Sequence, residues 1–330
     1  MEAYYSEIRF IETVGGVKTI PNPDNIEILS ILELFDLKYD VITGKFKHKV
    51  RIVVRGDKEA NFIAATYAPV ASGIIIKLNL ALLTIMGYLV RQLDIKTAFL
   101  NARRSTLLHT YLPLGHKDRK KGFIWSTYCT IYGLKDAPRK WYLLLKSILD
   151  NYGLVYCPLD PCLFSTSDKS LILILYVDDM VYFAKNSSIL DKFESYLQKH
   201  LTIKITETLT KYVGHELEVS NNKTKISVQG YIKACLERFD WTNIKERKYP
   251  GNKGFKIINP DSPLLVDKSK FLSVLGCLNY ISSIARPDIA FTTNFLARNS
   301  SSLREDHMEL AKQVFQYLKF SGDKGIDYYR

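Results

Sequence analysis

The chain has 330 residues, 47% of them apolar, and its 46 Lys and Arg against 34 Asp and Glu give a formal net charge of +12. This length and apolar content are enough for two domains, or for one large domain with an appendage. The positive charge suits a polyanionic partner, either nucleic acid or an acidic membrane surface. Five cysteines without a Cys-x-x-Cys pair argue against a disulfide framework and a zinc ribbon, and predict a reducing, intracellular compartment.

Secretion and membrane insertion are not expected. The N-terminal MEAYYSEIRF contains acidic residues and lacks an apolar core of signal-peptide length. The most apolar stretch, residues 73–90, carries Lys77 and Asn79, so it predicts a buried or amphipathic helix rather than a membrane span. We therefore expect an intracellular protein, cytoplasmic or nuclear, with no membrane partner.

In chain order, the first predicted element is a hairpin over residues 41–57, joined at Thr43-Gly44. Its second strand alternates the basic residues Lys47, Lys49 and Arg51 with less polar ones. Such a strand fits two descriptions, a cationic face for a polyanion or a sheet edge protected by charge.

The middle of the chain predicts alternating helices and strands. The 73–90 helix is followed by a short run over 91–102, an irregular basic stretch to Gly122 and a strand from residue 123. A helix is predicted over 138–152, with Pro138 at its start and Gly153 just past its end. A hairpin follows over 171–184, and then a helix from Ile189 with Ser188 as its N-cap.

The last third predicts one more hairpin and a helical end. The hairpin turns at Asn221-Asn222, a helix follows Gly230, and residues 242–268 have the composition of an exposed loop or linker. Ser302-x-x-Glu305 matches a capping box for a C-terminal helix.

Two adjacent carboxylates, Asp178 and Asp179, stand between two apolar runs in LYVDDM. Aspartate is a common turn residue, so a solvated hairpin tip accounts for the pair without any function. If Asp94 in RQLDIKTAFLN lies near this tip, three negative charges converge, which is costly unless a cation neutralises them. Mg²⁺ prefers such oxygen ligands, and paired Mg²⁺ ions carry out phosphoryl transfer, so the set predicts a nucleotidyl-transfer site.

The motifs QLDIKTAFLN, IYGLKDAPRKWY and LYVDDM, in this order, resemble the reverse transcriptase of copia-type LTR retrotransposons. The similarity continues through KVRIVVRGD, TYAPVAS, KYVGHELEV and LGCLNYISSIARPDIAFTTNFLAR, and covers roughly residues 40–320. The resemblance implies an α+β right-hand polymerase fold, with fingers and an antiparallel palm in residues 1–222 and a helical thumb or connection-like region in 223–330. It also implies part of a Pol polyprotein, without its protease, integrase and ribonuclease H regions.

The resemblance also assigns roles to single residues. It makes Asp94, Asp178 and Asp179 the catalytic acids, and these three, with the carbonyl of Ile95, the ligands of two Mg²⁺ ions, for which Mn²⁺ is a possible substitute. It gives nucleotide contacts to five residues: Lys49, Arg51, Phe99, Tyr132 and Gly133. Phe99 would exclude the ribose 2′-OH, and a small residue such as Gly133 permits close backbone approach.

The implied activity is RNA-directed and DNA-directed DNA polymerisation on a primed RNA or DNA template with deoxynucleoside triphosphates, inside a virus-like particle if the element is active. Two departures support an alternative, an inactive remnant that only binds nucleic acid. Asp136 stands where the family has Gln and adds negative charge beside the expected nucleotide or template, and the stretch 102–118 is basic where the family is acidic. A Mg²⁺-dependent nuclease on the same carboxylates is a third interpretation.

Overall fold

The computed structural model describes residues 1–40, 45–60, 64–251 and 261–330. By packing, the chain divides into unit 1, residues 1–72 and 92–205, and unit 2, residues 73–91 and 206–330. The predicted boundary at residue 222 concerns fingers, palm and thumb rather than packing, and it stays a prediction. The predicted turn at Thr43-Gly44 and part of the predicted 242–268 loop lie outside the described residues.

Helices and strands are both abundant in the described ranges, which agrees with the predicted α+β class. The helices there are α1 (Glu2–Val14), α2 (Gly73–Met86), α3 (Ala137–Tyr152), α4 (Ser187–Gln198), α5 (Gln229–Arg238), α6 (Lys268–Ile284), α7 (Ala290–Arg298) and α8 (Glu305–Phe320). Within the same part of the chain, none of these helices is both long and apolar enough to cross a membrane.

The strands alternate with these helices along the chain. They are β1 (Lys18–Pro21), β2 (Ile31–Asp40), β3 (Lys45–Val54), β4 (Leu89–Ile95), β5 (Arg103–Tyr111), β6 (Phe123–Cys129), β7 (Val155–Cys157), β8 (Asp160–Ser165), β9 (Leu171–Tyr176), β10 (Asp179–Ala184), β11 (Ile203–Thr206), β12 (Lys211–Tyr212), β13 (His215–Val219), β14 (Lys223–Ser227) and β15 (Ile326–Tyr329).

The largest sheet has the strand order β11-β4-β10-β9-β8-β7. Strands β7 to β10 form an antiparallel meander within it. Nearly every residue of β9 and β10 is buried. Helix α4 packs against β10, where the Tyr182 hydroxyl donates to the Glu194 carboxylate at 2.6 Å. Burial on both faces explains why the sequence here is continuously apolar rather than alternating.

A second part of unit 1 is the β2–β3 hairpin with α1 packed on it. From Lys49 to Val54 the predicted alternation is seen, with Val50, Ile52 and Val54 buried and Lys49 and Arg51 half-buried. Residues Tyr4, Ile8 and Ile11 of α1, at helical spacing, join the same apolar cluster. The cationic residues of β3 are thereby held on the face opposite this core.

Unit 2 is built around a four-stranded sheet of order β12-β13-β14-β15. Helix α2 lies on β14 and β15, and the hydroxyls of Thr84 and Thr224 are 2.6 Å apart in its buried contact. The predicted 73–90 helix is therefore confirmed as a packed helix, but it ends at Met86, because Gly87 has a φ of +63° and β4 begins at Leu89.

A buried arginine ties together the C-terminal helices of unit 2. Arg286 is 1% exposed, and its guanidinium donates to both carboxylate oxygens of Asp288 at 3.0 and 2.8 Å. It also donates to the carbonyl and the hydroxyl of Ser321, while the Tyr317 hydroxyl donates to Asp288 at 2.6 Å. This network joins the segment before α7 to the end of α8.

Three local predictions are wrong. The N-cap of α4 is Asn186, whose side chain accepts from the Ile189 N–H at 3.1 Å, rather than Ser188. Helix α8 is capped by His307, whose Nδ1 accepts from the Arg304 N–H, and not by a Ser302-Glu305 box. The basic stretch from residue 103 to Gly122, expected to be irregular, forms β5 in its first part, Arg103–Tyr111, because β6 supplies the hydrogen-bonding partner.

Candidate active site

The two central carboxylates lie at the β9–β10 turn, as predicted. Asp179 pairs with Tyr176, so Val177 and Asp178 form a two-residue turn. Val177 has a φ of +59°, a strained conformation for a β-branched residue. The indole Nε1 of Trp141, in α3, donates to the Val177 carbonyl at 2.7 Å. Packing from α3 thus fixes a turn that Val177 alone would not favour.

Asp94 is brought to this turn by the sheet. The Ile95 N–H donates to the Asp178 carbonyl at 2.9 Å, which anchors the end of β4 beside the turn. Burial, and then the negative charge of Asp94, raise the pKa of Asp178 above its ordinary value. The structure therefore places Asp94 and Asp178 within electrostatic reach of each other. Asp179 begins β10, half-buried, and its role as a third acid stays a prediction.

The predicted cationic residues face the same carboxylate. Lys49 and Arg51 lie on one side of β3, and their positive charges oppose the rise in the pKa of Asp178. Both side chains are half-buried, so solvent screens them less than it would a surface lysine. Cations placed this way can attract the phosphates of a nucleotide towards the carboxylates.

Glu7 of α1 is a site residue that the sequence did not reveal. Its carboxylate accepts a hydrogen bond from the Ile52 N–H and lies near Lys49 and Arg51. Burial raises the pKa of Glu7, while the Ile52 hydrogen bond and the two cations act in the opposite direction. The helical spacing of Tyr4, Ile8 and Ile11 could have predicted α1, but only the fold shows which strand it covers.

Tyr132 and Phe99 lie together beside the acids. Their ring centroids are 4.9 Å apart in an edge-to-face arrangement. Burial, followed by the charges of Asp178 and Glu7, raises the pKa of Tyr132 to about 12, so its hydroxyl stays protonated. The structure thus brings Phe99, Tyr132, Asp94 and Asp178 into one neighbourhood.

Close backbone packing requires a glycine at position 133, whether or not this residue also contacts a nucleotide. Its φ is +93°, and a Cβ there would lie 2.1 Å from the carbonyl oxygen of Val54. The Val54 N–H in turn donates to the Tyr132 carbonyl at 2.7 Å. The end of β3 and the 132–133 segment therefore form one closely packed backbone layer.

Asp136 does not present the free negative charge that the sequence led us to expect. It is 3% exposed, and its carboxylate Oδ2 lies 3.4 Å from the Nε of Arg104. Arg104 belongs to the basic stretch that also departs from the family pattern. The two departures thus form a buried ion pair, in which Arg104 offsets part of the negative charge of Asp136.

The carboxylates fit a metal site that is completed by substrate. Within the described ranges, no three side chains among His, Cys, Asp and Glu are arranged to hold one ion. Mg²⁺, however, is commonly bound by one or two carboxylates together with substrate phosphates. Asp94 and Asp178, whose charge repulsion contributes to the raised pKa of Asp178, form a donor pair of that kind.

Comparison with known proteins identifies the chain's family. The model of the family described as reverse transcriptase (RNA-dependent DNA polymerase) matches residues 17–253. The Nicotiana tabacum retrovirus-related Pol polyprotein from transposon TNT 1-94 is 28% identical over 97% of this chain. The corresponding Arabidopsis thaliana polyprotein from transposon RE1 is 26% identical over 93%.

These polyproteins are much longer than the chain, which spans 25% of the first and 21% of the second. A putative transposon Ty5-1 protein of Saccharomyces cerevisiae is 28% identical over 68% of this chain and 75% of its own length. The resemblance to part of a copia-type Pol polyprotein is thereby confirmed. With most of its length matched by the family model, the chain belongs to the reverse transcriptase family.

Proposed function

We propose that the chain is an RNA-directed DNA polymerase that also copies DNA, extending a primer by template-directed nucleotidyl transfer. The observation that carries the proposal is the Ile95–Asp178 hydrogen bond, which sets Asp94 and Asp178 side by side and within reach of Lys49 and Arg51. Two carboxylates next to two cations offer sites for metal ions and for phosphates in one place. Its substrates would be a primed RNA or DNA template and deoxynucleoside triphosphates.

The proposal includes the right-hand arrangement. The antiparallel meander β7–β10 with α3 and α4 would be the palm, and the β2–β3 hairpin would belong to the fingers, within residues 1–222. Residues 223–330, which are mainly helical, would be the thumb and connection-like region. The net charge of +12 supports a nucleic-acid partner.

In this mechanism Asp94, Asp178, Asp179 and the Ile95 carbonyl would hold two Mg²⁺ ions, or Mn²⁺ in their place. When bound, such ions activate the primer hydroxyl and stabilise the leaving oxygen. The protein's own part is to keep Asp178 ionised near Lys49 and Arg51 and to hold the turn rigid through Trp141.

The remaining site residues would bind and orient the nucleotide. Lys49 and Arg51 would hold the triphosphate, with the planar guanidinium suited to two phosphate oxygens at once. The Tyr132 hydroxyl is neutral at pH 7, and its raised pKa keeps it so in alkaline solution, so it would donate a hydrogen bond to the nucleotide without repelling phosphate. Gly133, which is exposed, would border the base and the template.

Primer extension tests the proposal. On poly(rA)/oligo(dT) with dTTP and Mg²⁺, the wild-type chain is expected to extend the primer. The extension rate of Asp94→Asn is expected to fall by more than the roughly 10- to 100-fold typical of replacing a residue that only hydrogen-bonds to a metal ligand. The matched control is Asp24→Asn, at an exposed position of unit 1, which should extend like wild type. A folded wild-type chain that binds the template but never extends the primer would support the inactive remnant instead.

A smaller side chain at position 99 is expected to admit ribonucleotides. Phe99 is half-buried against Tyr132, so Phe99→Ala opens space beside the sugar without removing a charge. We expect the preference for dTTP over UTP, measured as the ratio of kcat/KM values, to fall by about 10- to 100-fold. An unchanged ratio with normal dTTP use would remove Phe99 from the sugar contact.

A further inference from the structure

A buried arginine in β5 donates a hydrogen bond to one acid and forms an ion pair with a second, and the two acids belong to different segments of unit 1. The guanidinium Nη2 of Arg104 donates to Glu59 Oε1 at 2.5 Å, and its Nε lies 3.4 Å from Asp136 Oδ2. The side chains of these three residues, which we name the Arg104 bridge, are 6%, 13% and 5% exposed. Both carboxylates lie where an unpaired charge would be costly.

The two acids mark the ends of the segments that meet beside the candidate nucleotide site. Glu59 follows β3 by a single short 3-10 turn, Gly56–Lys58, and Asp136 immediately precedes α3. Between them, Gly56 packs on Gly133 so closely that a Cβ would lie 2.4 Å from the Gly133 carbonyl oxygen. The Arg104 bridge therefore spans the close backbone contact that positions Tyr132 and Gly133.

Asp136 supplies the second ionic contact of the Arg104 guanidinium in this chain. One guanidinium lies beside two carboxylates, and within the described part of the chain Glu59 Oε2, Asp136 Oδ1 and Arg104 Nε are buried without a hydrogen-bond partner. Arg104 and Asp136 are thus held together by their charges. An amide at position 136, whether asparagine of the same size or the longer glutamine of the family, would lose the ionic contact with Arg104. A lysine at position 104 would keep the charge, but a single ammonium cannot reproduce the planar fork.

We propose that Arg104 is a positioning residue, which through Glu59 and Asp136 holds residues 132–136 against the end of β3 and so places Tyr132 and Gly133 for the incoming nucleotide. The nucleotide half of this inference rests on the proposed function. The structural half does not, since it concerns only how two segments of the free chain are held together.

The test compares Arg104→Gln, Arg104→Lys and Asp136→Gln with Arg103→Gln, a matched control at the adjacent exposed position of the same strand. Amide hydrogen exchange is measured on peptides covering residues 54–60 and 130–137 of the full chain. We expect exchange about tenfold faster in both peptides for Arg104→Gln and Asp136→Gln, with α4 unchanged and the control like wild type. The exchange rates of Arg104→Lys should lie between those of the wild type and of Arg104→Gln. This variant replaces Arg104→Gln in the comparison if the latter does not fold.

Primer extension supplies the second readout. In Arg104→Gln and Asp136→Gln the KM for dTTP is expected to rise about tenfold with kcat nearly unchanged, because the bridge acts on nucleotide placement rather than on the carboxylates. The double variant should be no worse than Arg104→Gln alone, since that substitution already removes the contact with Asp136.

The outcomes separate this inference from the proposed function. Unchanged exchange in both peptides would overturn the bridge, and a loss of kcat at constant KM would overturn its role in nucleotide placement. A wild-type chain that extends no primer would overturn the proposed function and the nucleotide half, while the exchange measurement would still decide whether the Arg104 bridge joins the two segments.

Discussion

Asp178→Asn is expected to abolish primer extension and, at the same time, to make the folded chain more stable. The carboxylate lies at the turn where Asp94, Lys49 and Arg51 come together, so replacing it removes a proposed metal ligand without changing its size. The extension rate should fall by more than the roughly 10- to 100-fold typical of replacing a residue that only hydrogen-bonds to a metal ligand. Extension assays under the conditions used for the wild type measure it.

The stability change follows from the sign of the pKa shift. Burial and the charge of Asp94 raise the pKa of Asp178 from 3.8, so the folded state binds this proton more tightly than the unfolded state does. The resulting penalty is absent below the ordinary carboxyl pKa and complete above the raised one. Near pH 7 an uncharged amide avoids it, and we expect the melting temperature to rise, whereas near pH 3 the two chains should melt alike.

Two comparisons make this expectation specific. Mg²⁺ added together with dTTP should raise the melting temperature of the wild type more than that of Asp178→Asn, because only the wild type keeps both carboxylates. Asp24→Asn, at an exposed position, should leave both properties unchanged. Retained extension by Asp178→Asn would show that Asp178 is not a required metal ligand, and a lower melting temperature at pH 7 would show that its ionised carboxylate does not destabilise the fold.

Arg286→Ala is expected to destabilise unit 2 strongly. It leaves Asp288 without the guanidinium and removes two hydrogen bonds to Ser321. Loss of one member of a buried ion pair typically costs about 3–5 kcal/mol, and because Asp288 is partly exposed we expect about 3 kcal/mol. Urea denaturation, with hydrogen exchange to separate the two units, measures this loss.

This destabilisation should depend on pH. Burial raises the pKa of Asp288, but the hydrogen bonds from Arg286 and Tyr317 outweigh it and hold that pKa below its ordinary value. A lowered carboxyl pKa adds stability above the unfolded-state value, and this stability is lost as the pH falls through the folded-state value. The variant should therefore lose more stability at pH 7 than at pH 3. Arg298→Ala, at the exposed end of α7, is the control, and an equal loss there would contradict the role of the network.

Much of this fold could be predicted, because several elements are determined locally. The apolar runs on either side of Asp178 predict a buried hairpin, and Pro138 and Gly153 mark the ends of α3. Asp94 and Asp178 could be singled out because each stands beside apolar runs and both occur in the order of the family's motifs. The sheet then places these two carboxylates beside each other.

The rest depends on contacts between distant parts of the chain. Glu7 and Arg104 are ordinary charged residues in the sequence, and only the packing of α1 on β3 and of β5 beside Asp136 gives them partners. For the same reason the partner of Asp136 could not be predicted, since a buried ion pair cannot be recognised from one of its members. The N-caps of α4 and α8 could not be predicted for a related reason. Several neighbouring polar residues could each have capped these helices, and the sequence does not show which one does.

The placement of α2 also has a consequence for the order in which the chain folds. Its partners β14 and β15 are made long after α2 itself leaves the ribosome, and at synthesis rates of about 5–20 residues per second the interval is on the order of ten seconds or more. Throughout that time its apolar side chains have no sheet to cover. The nascent chain should therefore depend on chaperones that bind exposed apolar segments. A ribosome stalled before β15 should carry α2 with its apolar face uncovered, directly before β4, the strand with Asp94, in the chain.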